Sequence, residues 1–316
     1  MRYLITLTVY VIFGTSVICQ TQDEVKKVFH KGYYYLSVDN EKAVEYLSQC
    51  IEMDSTFEDA YFHRGISYFK GGLYKKALYD FDRAFELDPD LHIIWMYKGF
   101  TYRNMGLLEE ALSNFSQYIT NNPTDTTAYS YILRGKMKYE LGDFNGAIED
   151  YDMAVKLKPI EEKYHYYRFV ALYEAKQYKK ALKSASKLIE TTPDFYGYYF
   201  YKGNVYHDLG HYDSAVFMYN VAIIKNYQNS DSYFYRALSY QAEKKYKKAL
   251  EDYNTAIVLN DEDGYYFSER GNCKYEMGNK TGACEDWDIA GNLGYYEDFE
   301  KVKRLCITSA VVNGKN

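Results

Sequence analysis

Proline is scarce, with four in 316 residues, so little in the chain interrupts a helix. Histidine and cysteine number only six and five. No glycine-rich phosphate loop, Gly-x-Ser-x-Gly elbow or His-Glu-x-x-His helix occurs, which removes the motif-bearing nucleotide hydrolases, esterases and zinc peptidases. His207 and His211 are four apart, but Gly210 ends the helix between them. Asp261-Glu262-Asp263-Gly264 resembles part of a calcium loop. In that register Leu259 and Arg270 fall at the first and last ligand positions, where carboxylates are required. Positive charge is also short: the formal net charge is -6 and no basic stripe runs along the sequence, which argues against a nucleic-acid partner. Beyond residue 20 no apolar run is long enough to span a membrane. No catalytic residue, metal ligand or cofactor is expected.

What the chain has in excess is tyrosine, 40 residues, beside 17 phenylalanines. Such rings bury much area while keeping a hydroxyl at the wet edge. The N-terminus carries the only sustained apolar run. Arg2 precedes Leu4 to Phe13, small and polar residues follow, and the first acid is Asp23. This layout is that of a secretory signal peptide over residues 1–20. It predicts cleavage near residues 19–20 and a periplasmic or secreted mature chain, 21–316, folded as one domain. Lipidation at Cys19, an uncleaved anchor and a cytosolic protein with an apolar start are the alternatives.

A repeat fills the remainder. Alanines recur at Ala43, Ala77, Ala111, Ala147, Ala181, Ala215, Ala249 and Ala283, with spacings of 34 except for one of 36. A large side chain follows four residues later in all but one unit, and a residue such as Ala84, Ala154 or Ala222 three further on. Spacings of four and three place these residues on one helical face. Twelve residues before the alanine there is often glycine, as at Gly65, Gly99, Gly135, Gly203 and Gly271. The pattern predicts a helix with a small residue facing the next, a Gly-x-Tyr/Phe turn such as Gly72-Leu73-Tyr74, and a second helix whose ring fills the gap. Prolines at 89, 123, 159 and 193 close four units.

These residues resemble the tetratricopeptide repeat family over about residues 24 to 295. The resemblance implies an all-α superhelix of eight helix pairs, at about 24–56, 58–91, 92–125, 128–161, 162–195, 196–229, 230–263 and 264–295. A capping helix at about 296–306, as in secreted bacterial members, would cover the last unit. The first unit departs from the pattern by a turn one residue short, the fourth by two extra residues after Pro123. In the fifth, Phe169 replaces the glycine and Ala185 the ring; a ring moved across the same gap would conserve volume, and a local change in superhelical twist is the alternative.

The resemblance also implies a groove lined by first-helix positions two, five, nine and twelve. The candidates are Phe62, Phe69, Met96, Phe100, Tyr139, Tyr166, Tyr173, Phe200, Asn204 and Phe234. The family's carboxylate clamp is not expected, because Lys136, Asn204 and Asn272 fall in non-adjacent units. One basic residue precedes the glycine position in each full repeat: Arg64, Lys98, Arg134, Arg168, Lys202, Arg236 and Arg270. They predict a ladder of ion pairs to acids such as Asp80, Asp82 and Glu149. The doublets Glu149-Asp150 and Glu251-Asp252 read as solvated faces. Cys50 sits in a buried small-residue slot. A disulfide between Cys284 and Cys306 would staple the cap to the last pair, with Cys273–Cys306 or no bridge as alternatives. The reading is a non-enzymatic scaffold that holds a protein or peptide, with envelope association possible; an envelope assembly component and a glycan-binding module are the rivals.

Overall fold

The computed structural model describes residues 22–122, 127–296 and 302–307. Residues 1–20, expected as a leader, and residues 123–126 at the expected insertion lie outside the described residues. The chain divides between Lys158 and Pro159 into two compact units, and the described residues in both are helical without strands.

The first unit holds α1 (residues 22–35), α2 (Asn40–Met53), α3 (Glu58–Lys70), α4 (Tyr74–Leu87), α5 (Ile93–Asn104), α6 (Leu108–Asn121), α7 (Ala128–Glu140) and α8 (Phe144–Leu157). The second holds α9 (Glu162–Glu174), α10 (Tyr178–Thr191), α11 (Tyr196–Asp208), α12 (Tyr212–Lys225), α13 (Ser230–Ala242), α14 (Tyr246–Leu259), α15 (Gly264–Glu276) and α16 (Lys280–Asn292). Within each unit, consecutive helices pack in pairs, and each pair packs on the next.

The glycine–ring fit predicted from sequence sets the pair spacing. A Cβ on Gly99 would lie 2.6 Å from a ring carbon of Phe115, and one on Gly203 would lie 2.5 Å from Tyr219. Both rings are buried. In the α9–α10 pair, Phe169 and Ala185 are both buried, as expected if the ring has crossed to the first helix. From α3–α4 onward the turn inside each pair takes a left-handed residue, and glycine supplies it at positions such as Gly72 and Gly210, with φ of 73° and 74°. Lys176 and Lys244 take the same conformation, with φ of 55° and 59°.

The basic ladder forms in part: Lys202 donates to Ser186 Oγ at 3.0 Å instead of to an acid, Arg168 donates to Ser184 Oγ at 3.1 Å, and the acid partners need a correction. Arg64 grips Asp80 through two hydrogen bonds of 2.8 Å and reaches back to Ser48 at 3.1 Å. Arg134 holds Asp150, not Glu149, and Lys138 joins it at 3.0 Å. Arg236 and Arg270 repeat the grip on Asp252 and Asp286. Each also bonds a residue of the preceding pair, Asn220 and Asn254. Lys98 reaches only backward, to Asp82. The doublets are therefore not solvated faces: Glu149 and Glu251 are exposed, but Asp150 and Asp252 are buried. One residue of rotation, about 100° on a helix, turns the second acid into the gap between pairs.

At the end of the second unit the expected cap falls partly outside the described residues. The described part is a short π-helical turn, Lys303–Ile307, packed against α16. The sulfurs of Cys284 and Cys306 lie within bonding distance, with Cα atoms 5.8 Å apart. Cys50 and Cys273 are buried thiols, and burial pushes each up to about 11.

Candidate binding faces

The candidate groove residues lie on the first helices of each unit, and the structure sorts them by depth. In the first unit Phe62 is buried, with its ring edge-on to Tyr97 at 5.3 Å and near Phe81 at 6.1 Å. Position five is the contact point between adjacent first helices, so Phe62 is core. Phe69 and Tyr139 stay half-buried, resting on the rings that start the next helix, Tyr74 and Phe144. Met96 and Phe100 are half-buried over the Phe115, Leu133 and Met137 cluster. Arg103 and Glu140 approach to 3.8 Å between α5 and α7.

In the second unit Phe234 is corrected in the same way. It is 1% exposed and stacked on Tyr266 at 4.4 Å. Tyr166 and Phe200 remain half-buried. Tyr166 lies 5.8 Å from Tyr201, and Phe200 meets Tyr235 edge-on at 5.4 Å. The outcome at position five follows side-chain surroundings: it is buried at Phe62, Ile132, Phe234 and Ser268 and half-open at Met96, Tyr166 and Phe200.

Polar atoms on this face are tied to one another. Tyr173 donates to Asp208 at 2.6 Å, and burial with this acceptor holds its phenol far above the ordinary value. Asn204 accepts from Tyr219 at 2.8 Å, and Gln241 accepts from Tyr253 at 2.8 Å. His207 Nδ1 lies 2.9 Å from Ser239 Oγ, and burial holds its imidazole below the usual 6.5. Asn204 thus fixes a core ring rather than waiting open for a ligand. These bonds align the first helices and leave ring faces and edges as the offered surface.

Sequence reasoning missed position six. Tyr201 and Tyr235 are half-buried beside Tyr166 and Phe200, and burial with a hydrogen bond to Tyr166 pushes Tyr201 up to about 12. A signal existed: His63, Tyr97, Tyr167, Tyr201 and Tyr235 share this repeat position. Among the described residues no cluster of metal-ligating side chains occurs, and no helix is long and apolar enough to cross a membrane.

Three family descriptions match the sequence. The N-terminal TPR repeats region of Psidin matches residues 67–203, and two tetratricopeptide repeat families match 196–223 and 230–263. No curated protein matches the chain. Among solved structures, the C-terminal part of a TPR repeat-containing protein from Cytophaga hutchinsonii aligns with a TM-score of 0.61 and 18% identity, covering 73% of this chain and 95% of its own. A tetratricopeptide repeat protein from Parabacteroides merdae gives 0.57 and 20%, covering 78% and 96%. YrrB, described as a TPR protein with an unusual peptide-binding site, gives 0.52 and 18%, covering 63% and 97%. At these identities the likeness is one of fold.

Proposed function

The chain belongs to the tetratricopeptide repeat family, and on that premise we propose that it is a non-enzymatic scaffold that binds a protein or peptide on its first-helix faces. The observation that carries this reading is the set of half-open rings at Tyr166, Tyr201 and Phe200 on first helices of the second unit. Its polar neighbours are already satisfied by one another. A ligand therefore gains mainly by covering apolar and aromatic surface, which favours a peptide side chain over a heavily hydroxylated ligand. The peptide-binding site in the description of YrrB is consistent with this use of the fold.

The working compartment of this reading is extracytoplasmic. The basic-then-apolar layout of residues 1–20 and the Cys284–Cys306 pair support it, because structural disulfides persist in oxidising spaces. N-terminal sequencing of the protein from its source should start near residue 20; an intact Met1 would overturn this placement.

The binding claim is tested with a display library of unstructured peptides against the full chain and a Tyr166→Ala/Phe200→Ala double variant. Enrichment of apolar-rich peptides, lost with the double variant while helicity is kept, is expected. Enrichment indifferent to these changes, or none, would overturn the assignment of this face.

A further inference from the structure

The second helices of the second unit carry a surface that peptide binding does not use. Their buried stripes run through Ala181, Ala215, Tyr219, Ala249 and Tyr253. On the opposite side Ile224 and Val258 are 82% and 85% exposed, and Phe217 is 61% exposed. Ile224 and Val258 hold the same repeat position on consecutive second helices, one 34-residue period apart.

Lysines share the solvent side of these second helices: Lys183 holds the repeat position of Phe217, and Lys247 lies eleven residues, about three turns, before Val258, with Glu190 and Glu251 also on this side. Tyr178-Lys179-Lys180-Ala181 starts α10, and Tyr246-Lys247-Lys248-Ala249 starts α14 in the same register. Lys183 continues the first cluster one turn on and is exposed with Lys179 and Lys180. Lys187 and Lys245 have acidic partners, whereas Lys179, Lys180, Lys183 and Lys247 have no ion pair among the described residues. The turns before these helices hold Lys176 and Lys244 in the left-handed region. The corresponding turns elsewhere use glycine, at 72, 106, 142, 210 and 278. A third second helix, α4, also starts Tyr74-Lys75-Lys76-Ala77 but follows glycine at Gly72, so the left-handed lysine occurs in two of the three repeats with this start. The local conformation favours glycine, so backbone geometry does not account for lysine there. An open recess of ≈ 540 Å³ is lined by Lys244, Lys245, Tyr246, Lys247, Lys248 and Met277.

We propose that this second-helix face docks on an anionic phospholipid bilayer. Ile224, Val258 and Phe217 enter the interfacial layer, the lysines lie over the headgroups, and the recess receives a headgroup phosphate. Exposed aliphatics gain nothing from a phosphodiester backbone, which argues against nucleic acid. Protein interfaces are depleted in lysine and rely on aromatic and arginine anchors. Exposed apolar side chains on a face that also carries unpaired lysines are what a charged lipid surface rewards. The overall charge of -6 makes the face a local exception and fixes which side approaches. This inference does not depend on the peptide-binding reading.

The test is flotation of the full chain with vesicles of phosphatidylcholine alone and of phosphatidylcholine mixed with phosphatidylglycerol. Binding to the mixed vesicles only is expected. A Lys179→Glu/Lys180→Glu/Lys183→Glu variant should partition on the order of a hundredfold more weakly, from roughly fivefold per lysine. Ile224→Asp/Val258→Asp should also release the protein. These positions are exposed, so circular dichroism should be unchanged. An Ile224→Trp variant should show blue-shifted emission on mixed vesicles. Tyr166→Ala/Phe200→Ala should bind vesicles normally. Equal binding to neutral vesicles, insensitivity to the lysine changes (the behaviour of an apolar leader alone), or oligonucleotide binding or self-association through this face without vesicle binding would overturn the proposal.

Discussion

Arg236 and Asp252 meet sixteen residues apart, with Nε 2.7 Å from Oδ2 and Nη2 2.6 Å from Oδ1. Asp252 is buried, and a third bond runs from the same guanidinium to Asn220 at 2.6 Å. One side chain therefore closes its own helix pair and ties it to the pair before. Burial leaves the carboxylate no solvent to replace a lost partner.

Arg236→Met should lower unfolding free energy by about 3 kcal/mol, because it strands a buried charge. Adding Asp252→Leu should recover most of that loss. Urea denaturation of the two single variants and the double variant checks this; equal or additive losses would mean that the pair itself, rather than the stranded charge, carries the stability.

The glycine–ring gap predicts a swap. Gly203→Ala brings a Cβ against the Tyr219 ring and should cost roughly 1–3 kcal/mol. Phe169→Gly should cost about 3–5 kcal/mol by opening a cavity. Phe169→Gly with Ala185→Tyr rebuilds the arrangement of the other pairs, and thermal melting should show it more stable than Phe169→Gly alone.

His63 and His207 set a pH dependence. Burial lowers both below the ordinary value of 6.5. The unfolded chain then binds protons more readily than the folded one. Stability from this source is full above 6.5 and falls as pH drops through that value toward the lower folded values. His63→Phe/His207→Asn should flatten the stability–pH slope from pH 6.5 downward, read from denaturant midpoints; an unchanged slope would contradict the assignment.

A bond between Cys284 and Cys306 would span 22 residues of chain, a loop length worth about 3 kcal/mol. Cys306→Ser should lower the stability of the second unit by that order. Wild-type protein treated with reductant should match the variant, and the variant should not respond further.

Lys244→Gly removes a side chain from the left-handed region and should stabilise the fold by up to about 1 kcal/mol. The same change should weaken binding to anionic vesicles. Stability rising while binding falls would separate a functional lysine from a structural one; binding left intact would count against the lipid-docking face.

The helix pairs, the glycine–ring fit and the crossing of the ring at Phe169 were all legible in the sequence. A 34-residue register with spacings of four and three specifies which residues share a face of their own helix, and volume conservation supplies the rest. The family of the fold followed from the same residues. The sequence did not settle how closely a neighbouring helix approaches. That decided that, at one and the same repeat position, Phe62 and Phe234 are core while Tyr166 and Phe200 stay half-open, because the cover from neighbouring rings differs from repeat to repeat. It also separated Asp150 from Glu149 and Asp252 from Glu251, since one residue of rotation decides between the inter-pair gap and water. Only the folded chain shows that lysines of α10 and α14 and the apolar Phe217, Ile224 and Val258 are all left exposed on second helices of one unit. Along the chain these residues are dispersed; on the folded surface, stacking repeats in register places equivalent positions on one face.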